Sequence, residues 1–213
     1  MGRANDARRD VTRILVADDH PMFRAAMVVA ARRVRPDAEI VEAGTLAAAL
    51  DAGRGGGFDL VLLDLRMPGA EGYSGVALLH AELPGVPILV VSSAEAAQSA
   101  AAVQRFGAVG FIGKDQDLAT IEAAIAAALA GTRIAAPIDA DLDAVAGHVA
   151  ALTPTQLRVL LGVLAGRLNK QIAHDLGVSE ATVKAHMTAI MRKLDVQNRT
   201  QAVLAARALG LAH

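Results

Sequence analysis

The chain has no cysteine and no tryptophan, and only four Phe and one Tyr among 213 residues. Without cysteine there is no disulfide framework, thiolate metal site or cysteine nucleophile, so an intracellular setting is the easier reading. With aromatics at 2%, the core has to be assembled from Ala, Val, Leu and Ile. Long apolar runs are missing too. A mean hydropathy of +0.38 would suit a membrane protein, yet no uncharged stretch approaches the roughly 18 apolar residues a span requires. The longest, 83–94 and 144–157, are broken by Pro, Ser, His or Thr. The opening MGRANDARRD has no apolar core, so it does not read as a secretory signal, and Asp6 stands where a myristoylation motif needs Ser or Thr. A cytoplasmic protein with no membrane partner is expected. Hydrophobic residues at 54% beside charged residues at 20% exclude wholesale disorder.

Charge is unevenly spread. From Leu152 onward there are eight Lys/Arg against three acids, a net of +5, while the rest of the chain carries −6. An acidic first part and a basic second part imply two domains with different partners, the basic one a candidate for nucleic acid.

A short apolar run begins 13–20 (RILVADDH) and ends abruptly in two carboxylates, and further nearly continuous runs occur at 38–43, 58–64, 86–92 and 109–112. That pattern suits strands buried on both faces of a parallel sheet. Segments of helical composition alternate with them at 21–34, 45–52, 73–83, 94–106 and 117–130, which predicts a doubly wound α/β domain. Residues 132–151, with Pro137 and Gly147, read as a linker carrying a short helix around 140–146. Beyond it the pattern is wholly helical. Thr153-Pro154-Thr155-Gln156 has the form of a capping box with Pro at the first helical position. This helix is expected to bury Leu157, Leu160, Leu161 and Leu164. Helices over 169–176, from Ser179 to about Leu194, and from Thr200 to Leu209 should follow. The Gly177-Val178-Ser179 turn between the first two gives a helix-turn-helix signature.

In an open α/β sheet, ligands sit beyond the carboxyl ends of the strands. Asp18 and Asp19 follow the first strand, Asp64 the third, Ser92 ends the fourth and Lys114 follows the fifth. Converging carboxylates repel, and a hard divalent cation such as Mg2+ is the natural relief. A carboxylate nucleophile, a hydroxyl and an ammonium complete a set suited to phosphoryl transfer onto a carboxylate.

Over about residues 12–131 the chain resembles response-regulator receiver domains. The resemblance rests on Asp18-Asp19-His20-Pro21, on Leu62-Leu63-Asp64-Leu65-Arg66-Met67-Pro68-Gly69, on Val91-Ser92-Ser93-Ala94 and on Gly113-Lys114-Asp115. It implies a flavodoxin-like, five-stranded domain in which Asp64 accepts a phosphoryl group from a sensor histidine kinase. By the same resemblance, Asp19, Asp64 and the backbone carbonyl of Arg66 would ligate Mg2+, with Asp18 acting through water. Lys114 would pair with the acyl phosphate and Ser92 would swing to bond it. Phe111 stands where the family places an aromatic switch that turns inward on activation. The stretch Ala70-Glu71-Gly72-Tyr73-Ser74-Gly75 departs from the usual run, and Ser92 stands where Thr is commoner.

Residues 152–213 resemble the LuxR-type helix-turn-helix domain of NarL/FixJ response regulators, through Leu152-Thr153-Pro154, Asn169-Lys170-Gln171-Ile172-Ala173, Val178-Ser179, Thr182-Val183-Lys184-Ala185-His186, Lys193-Leu194 and Arg199-Thr200. A recognition helix over 180–193 would enter the major groove of promoter DNA, with Lys184, Ala185 and Thr188 facing base edges. Thr182, Asn169, Lys170, Lys193 and Arg199 would hold phosphates. Val183, Ile190 and Leu194 are expected in the core, and the last helix, with Val203, Leu204 and Ala208, in a homodimer contact. Residues 1–11 are expected to be a disordered extension.

The combined expectation is a phosphorylation-controlled transcription factor with no enzymatic activity beyond its own phosphoryl acceptance and loss. The alternative is a constitutive DNA-binding regulator whose receiver only dimerises. A phosphohydrolase using Asp64 as nucleophile would want a second carboxylate two residues on, where Arg66 stands, and a larger cap. Nucleotide binding fails because Gly53–Gly57 lacks a GK[ST] ending and Asp115 follows Gly113-Lys114.

Overall fold

The apolar runs become a parallel sheet because each is long enough for one strand and too apolar to face water. In the computed structural model, which describes residues 11–93, 96–132 and 147–211, the strands are β1 (Arg13–Ala17), β2 (Glu39–Ala43), β3 (Leu60–Leu63), β4 (Ile88–Ser92) and β5 (Gly110–Gly113). They pair in the order β2-β1-β3-β4-β5, so the order reverses at β1. Every residue of β3, β4 and β5 is buried, whereas the edge strand β2 exposes Glu39 and Glu42.

Alternation along the strands divides the core. Ile14, Val16, Leu60 and Leu62 face α1 (Pro21–Val34) and α5 (Leu118–Leu129) through Met27, Ala30, Ile121 and Ile125. Leu15, Val61, Leu63 and Val90 face α2 (Leu46–Arg54), α3 (Ser74–Glu82) and α4 (Ala96–Arg105) through Leu50, Leu79 and Val103. Full burial of each such aliphatic side chain contributes about 1.5–3 kcal/mol.

The register sets the heights of the strand ends. Ala17 pairs with Leu63, so Asp18 and Asp64 leave neighbouring strands at the same level, tied by Asp64 N–H to Ala17 O at 2.9 Å. Ser92 pairs with Gly113, which puts Lys114 one step beyond Ser92.

The second half folds as α6 (Pro154–Leu164), α7 (Asn169–Leu176), α8 (Glu180–Lys193) and α9 (Arg199–Ala208). The capping box forms in full: Gln156 N–H donates to Thr153 Oγ1 and Thr153 N–H to Gln156 Oε1. Ser179 Oγ accepts from Thr182 N–H at the start of α8. Gly177, at φ 65°, ends α7 in the left-handed region and turns the chain into α8. Val183, Ile190 and Leu194 are buried, as expected.

The buried stripe of α6 departs from expectation. Val159 and Val163 are buried, whereas Leu161 is only partly buried. The reason is that α6 packs both on its own domain and on α3 of the first domain, where Arg158 Nη2 lies 2.9 Å from Glu82 Oε2. Leu161 lines the cleft between the two halves with Gly69, Ala70 and Ser74. A helical turn is present at 147–150, while the expected helix at 140–146 and residues 1–10 lie outside the described residues.

Candidate functional site

At the carboxyl end of the sheet, Asp18 and Asp64 are almost wholly buried, at 2% and 3% exposure. Lys114 Nζ stands 2.7 Å from Asp18 Oδ2 and 2.7 Å from Asp64 Oδ2. The other oxygen of Asp64 accepts from Ser92 Oγ at 2.7 Å and from Arg66 N–H at 3.2 Å. Asp18 Oδ1 accepts from His20 N–H at 2.8 Å, and Asp18 O from Arg24 Nη1 at 2.7 Å. Asp18, Asp64, Ser92 and Lys114 therefore meet, and Asp64 lies between the hydroxyl and the ammonium.

Asp18 and Asp64 share one ammonium and Asp19 adds a third carboxylate nearby, which leaves the pocket with uncompensated negative charge. Asp19 Oδ1 is buried without a well-directed hydrogen bond, although His20 Nδ1 lies 2.6 Å away. Ligand atoms of Asp18, Asp19, His20 and Asp64 lie within 4.8 Å of one another. Three carboxylates beside His20 make an acid-rich donor set, and with the Asp19 oxygen lacking a hydrogen bond it fits a hard divalent cation. Arg66 directs its backbone to Asp64 while its side chain is exposed, so no carboxylate stands two residues after Asp64 to serve a hydrolase.

Two features of the pocket were not singled out from the sequence. His20 reaches Asp19, and the Phe23 ring centroid lies 4.7 Å from Lys114 Nζ. The placement of Phe23 in the first turn of a helix that begins at the acidic pair was the one available signal. Phe111 is buried, at 8% exposure, in the core cluster that holds Leu63 and Val90, and Ser92 Oγ bonds Asp64.

On the second domain, Lys184, Ala185 and Thr188 are exposed along one face of α8. Lys184 Nζ is 3.2 Å from Glu180 Oε1, and Thr188 Oγ1 donates to Lys184 O at 3.1 Å. Lys184 and Thr188, with Asn169, Met187 and Arg199, line a depression of about 430 Å3. Lys170 is exposed, and Thr182 lies at the Ser179 cap, with its Oγ1 2.8 Å from Ser179 Oγ.

Three expected phosphate holders are engaged within the domain. Lys193 Nζ bonds Ala151 O at 2.8 Å and Gln156 Oε1 at 2.9 Å, tying the end of α8 to the start of α6. Arg199 bonds Asn169 Oδ1 at 2.9 Å and Arg167 O at 2.7 Å. The same cationic groups that could meet phosphate satisfy carbonyls at helix ends, where such acceptors concentrate.

Both domains match known families. Residues 14–126 match the response regulator receiver domain, and residues 150–206 match the bacterial regulatory proteins of the luxR family. The glycerol metabolism activator of Pseudomonas putida is 38% identical over 208 residues, covering 91% of this chain and 94% of that protein. The nitrate/nitrite response regulator protein NarP of Escherichia coli is 32% identical over 199 residues, covering 90% and 92%. In fold, the chain is similar to RcsB of Salmonella enterica serovar Typhimurium, solved bound to promoter rprA with phosphomimetic BeF3−. The TM-score is 0.51 at 21% identity, over 92% of this chain and 99% of that one.

Proposed function

The chain belongs to the response-regulator family, as a two-component regulator and transcription factor of the NarL/FixJ type, and from that premise we propose that Asp64 is the phosphoacceptor through which a sensor histidine kinase controls promoter binding. The observation that carries this is the convergence of Ser92 Oγ, Arg66 N–H and Lys114 Nζ on the two oxygens of a buried Asp64.

A carboxylate oxygen of Asp64 attacks phosphorus, an acyl phosphate bond forms, and the phosphorus–nitrogen bond of the kinase phosphohistidine breaks with its electron pair returning to the imidazole. Lys114 and Ser92 then move from the carboxylate to the new phosphoryl oxygens, which carry nearly two negative charges. Preorganised donors at a dry strand end offset charge as it develops. Mg2+, when bound, supplies neutralisation of the phosphoryl oxygens; Asp19, Asp64 and the Arg66 carbonyl would hold it, with Asp18 through water. Phe111, a buried residue of β5 paired with Val90, is the aromatic switch that repacks when the phosphoryl group is added.

The working units are a receiver over 12–131 after an extension at 1–11, a linker at 132–151 and a DNA-binding domain over 152–213. Lys184, Ala185 and Thr188 face base edges, while Lys170 and Thr182 meet phosphates. Lys193, Asn169 and Arg199 brace the domain. The DNA-bound form is a homodimer with α9, which exposes Leu204, at its contact. No helix among the described residues is long and apolar enough to cross a membrane, and a cytoplasmic location accords with a DNA target.

One observation favours the constitutive alternative: the α8 reading face stays exposed while the two halves are docked. Sequencing genomic fragments captured by wild type and by Asp64→Asn, each with and without acetyl phosphate, separates the two. The proposal expects capture that rises with acetyl phosphate in wild type only. Equal capture in all four arms would establish the constitutive regulator instead.

A further inference from the structure

The stretch 70–75, which departs from the receiver pattern, is where the two halves of the chain come closest. Tyr73 N–H donates to Gly210 O at 3.1 Å, just beyond α9. A Cβ on Gly72, whose φ is +53°, would fall 2.1 Å from that same carbonyl oxygen. Gly210, at φ +74°, would press a Cβ to 3.1 Å from the Tyr73 ring. Two glycines in the left-handed region thus allow a backbone approach that side chains would forbid. Leu209 and Leu211 on either side of Gly210 are buried, at 6% and 0% exposure.

The other side of Tyr73 faces the signalling end of the receiver. Its ring stacks on Phe106 with centroids 6.0 Å apart and planes at 27°. Phe106 is 1% exposed and directly follows Arg105, the last residue of α4. The β4–α4 connection begins at Ser92, the hydroxyl bonded to Asp64. We propose that Tyr73 is the coupling residue between phosphoacceptor and DNA-binding domain, its ring following α4 through Phe106 and its backbone clasping Gly210. The proposal rests on Asp64 as phosphoacceptor.

The physical sequence is short. A phosphoryl group on Asp64 draws Ser92 Oγ and Lys114 Nζ from the carboxylate to its own oxygens, so the end of β4 shifts and carries α4 with it. Movement at the end of α4 changes the surface on which the Tyr73 ring lies. The Tyr73–Gly210 bond and the Arg158–Glu82 pair then no longer hold in register, and the second domain is released. Because the α8 reading face is exposed while docked, the clasp does not cover the DNA-binding surface; it governs how that surface is placed relative to the receiver. Local charge chemistry is thereby read out through a packed contact with two arrangements.

Amide hydrogen exchange of the full chain, followed by mass spectrometry over peptides spanning 72–79 and 205–211, tests this. In wild type, acetyl phosphate with Mg2+ should raise exchange at both segments together. Gly72→Ala, which wedges the clasp, should raise exchange over 205–211 at least tenfold without any phosphoryl donor. Tyr73→Leu, which keeps the backbone N–H but loses the stack, should leave 205–211 unresponsive to phosphorylation. Intact mass, taken in parallel, reports Asp64 phosphorylation itself, so a chain that never takes up phosphate fails the functional reading and not the clasp. Thermal melting confirms that both variants remain folded. Unchanged exchange over 205–211 in Gly72→Ala, or a wild-type response in phosphorylated Tyr73→Leu, overturns the proposal.

Discussion

Replacing Lys114 with Met separates the electrostatic role of the lysine from its packing, since Met fills similar space without charge. Lys114, Asp18 and Asp64 have side chains only 5%, 4% and 2% exposed, with the ammonium 2.7 Å from each carboxylate. Removing one partner of a buried ion pair strands the other and costs about 3–5 kcal/mol. Here two carboxylates are stranded together, and relief by protonation or by a cation returns part of the cost, so a net loss of about 3 kcal/mol is expected in chelator. At about 3–4 °C per kcal/mol for a domain of this size, the receiver melting transition should fall by about 10 °C. Mg2+ should offset the loss, because a ligand at about ten times its Kd stabilises by about 1.4 kcal/mol. It should raise the variant more than wild type, where the ammonium already neutralises part of the site. Circular dichroism melts of both proteins in chelator and in millimolar Mg2+ give all four values. A variant within about 1 kcal/mol of wild type in chelator, or one that Mg2+ fails to stabilise, would refute the account of the pocket as charge-frustrated.

Other consequences follow from single contacts. Lys184→Ala should cost about 1–3 kcal/mol in binding to a selected operator duplex, with a smaller effect on random duplex, as titration by fluorescence anisotropy would show. Lys193→Met should lower the stability of the second domain by about 1–2 kcal/mol, because it loses charge-assisted bonds to Ala151 O and Gln156 Oε1. Its salt dependence of DNA binding should stay unchanged, whereas loss of a phosphate contact would lower the slope by about one. Asp117 caps α5, and acceptance from Thr120, first through its side chain and then through its backbone N–H, holds the Asp117 carboxyl below its ordinary value. A folded value below the unfolded one contributes stability that is complete above the ordinary carboxylate value and is lost as pH falls through the lower one. Asp117→Asn should therefore flatten the acid limb of the helical signal, measured by circular dichroism below about pH 4.

The elements legible in the sequence were those whose signal is local. Val61 to Leu63 and Ile88 to Val91 are apolar throughout because both faces of their strands are covered. Thr153 and Gln156 announce a helix start because the capping box is a four-residue device. The pocket was legible because each of its groups sits at a strand end, and parallel register brings strand ends to one level. What stayed hidden depends on contacts between distant segments. A lysine at the end of a helix is the same symbol whether it meets a phosphate or, as Lys193 does, the carbonyl of residue 151. Leu161 fits a helical apolar stripe, yet the second packing surface of α6 shifts burial to Val159 and Val163. The approach of Tyr73 to Gly210 joins residues 137 positions apart, and only the two glycines hint at it.

Every regulatory step proposed above begins with phosphoryl uptake on Asp64. The most direct measurement is the intact mass of wild type and Asp64→Asn after incubation with acetyl phosphate and Mg2+. One phosphoryl adduct on wild type and none on the variant is the predicted result. An adduct of equal yield on both proteins, or none on wild type, would contradict it.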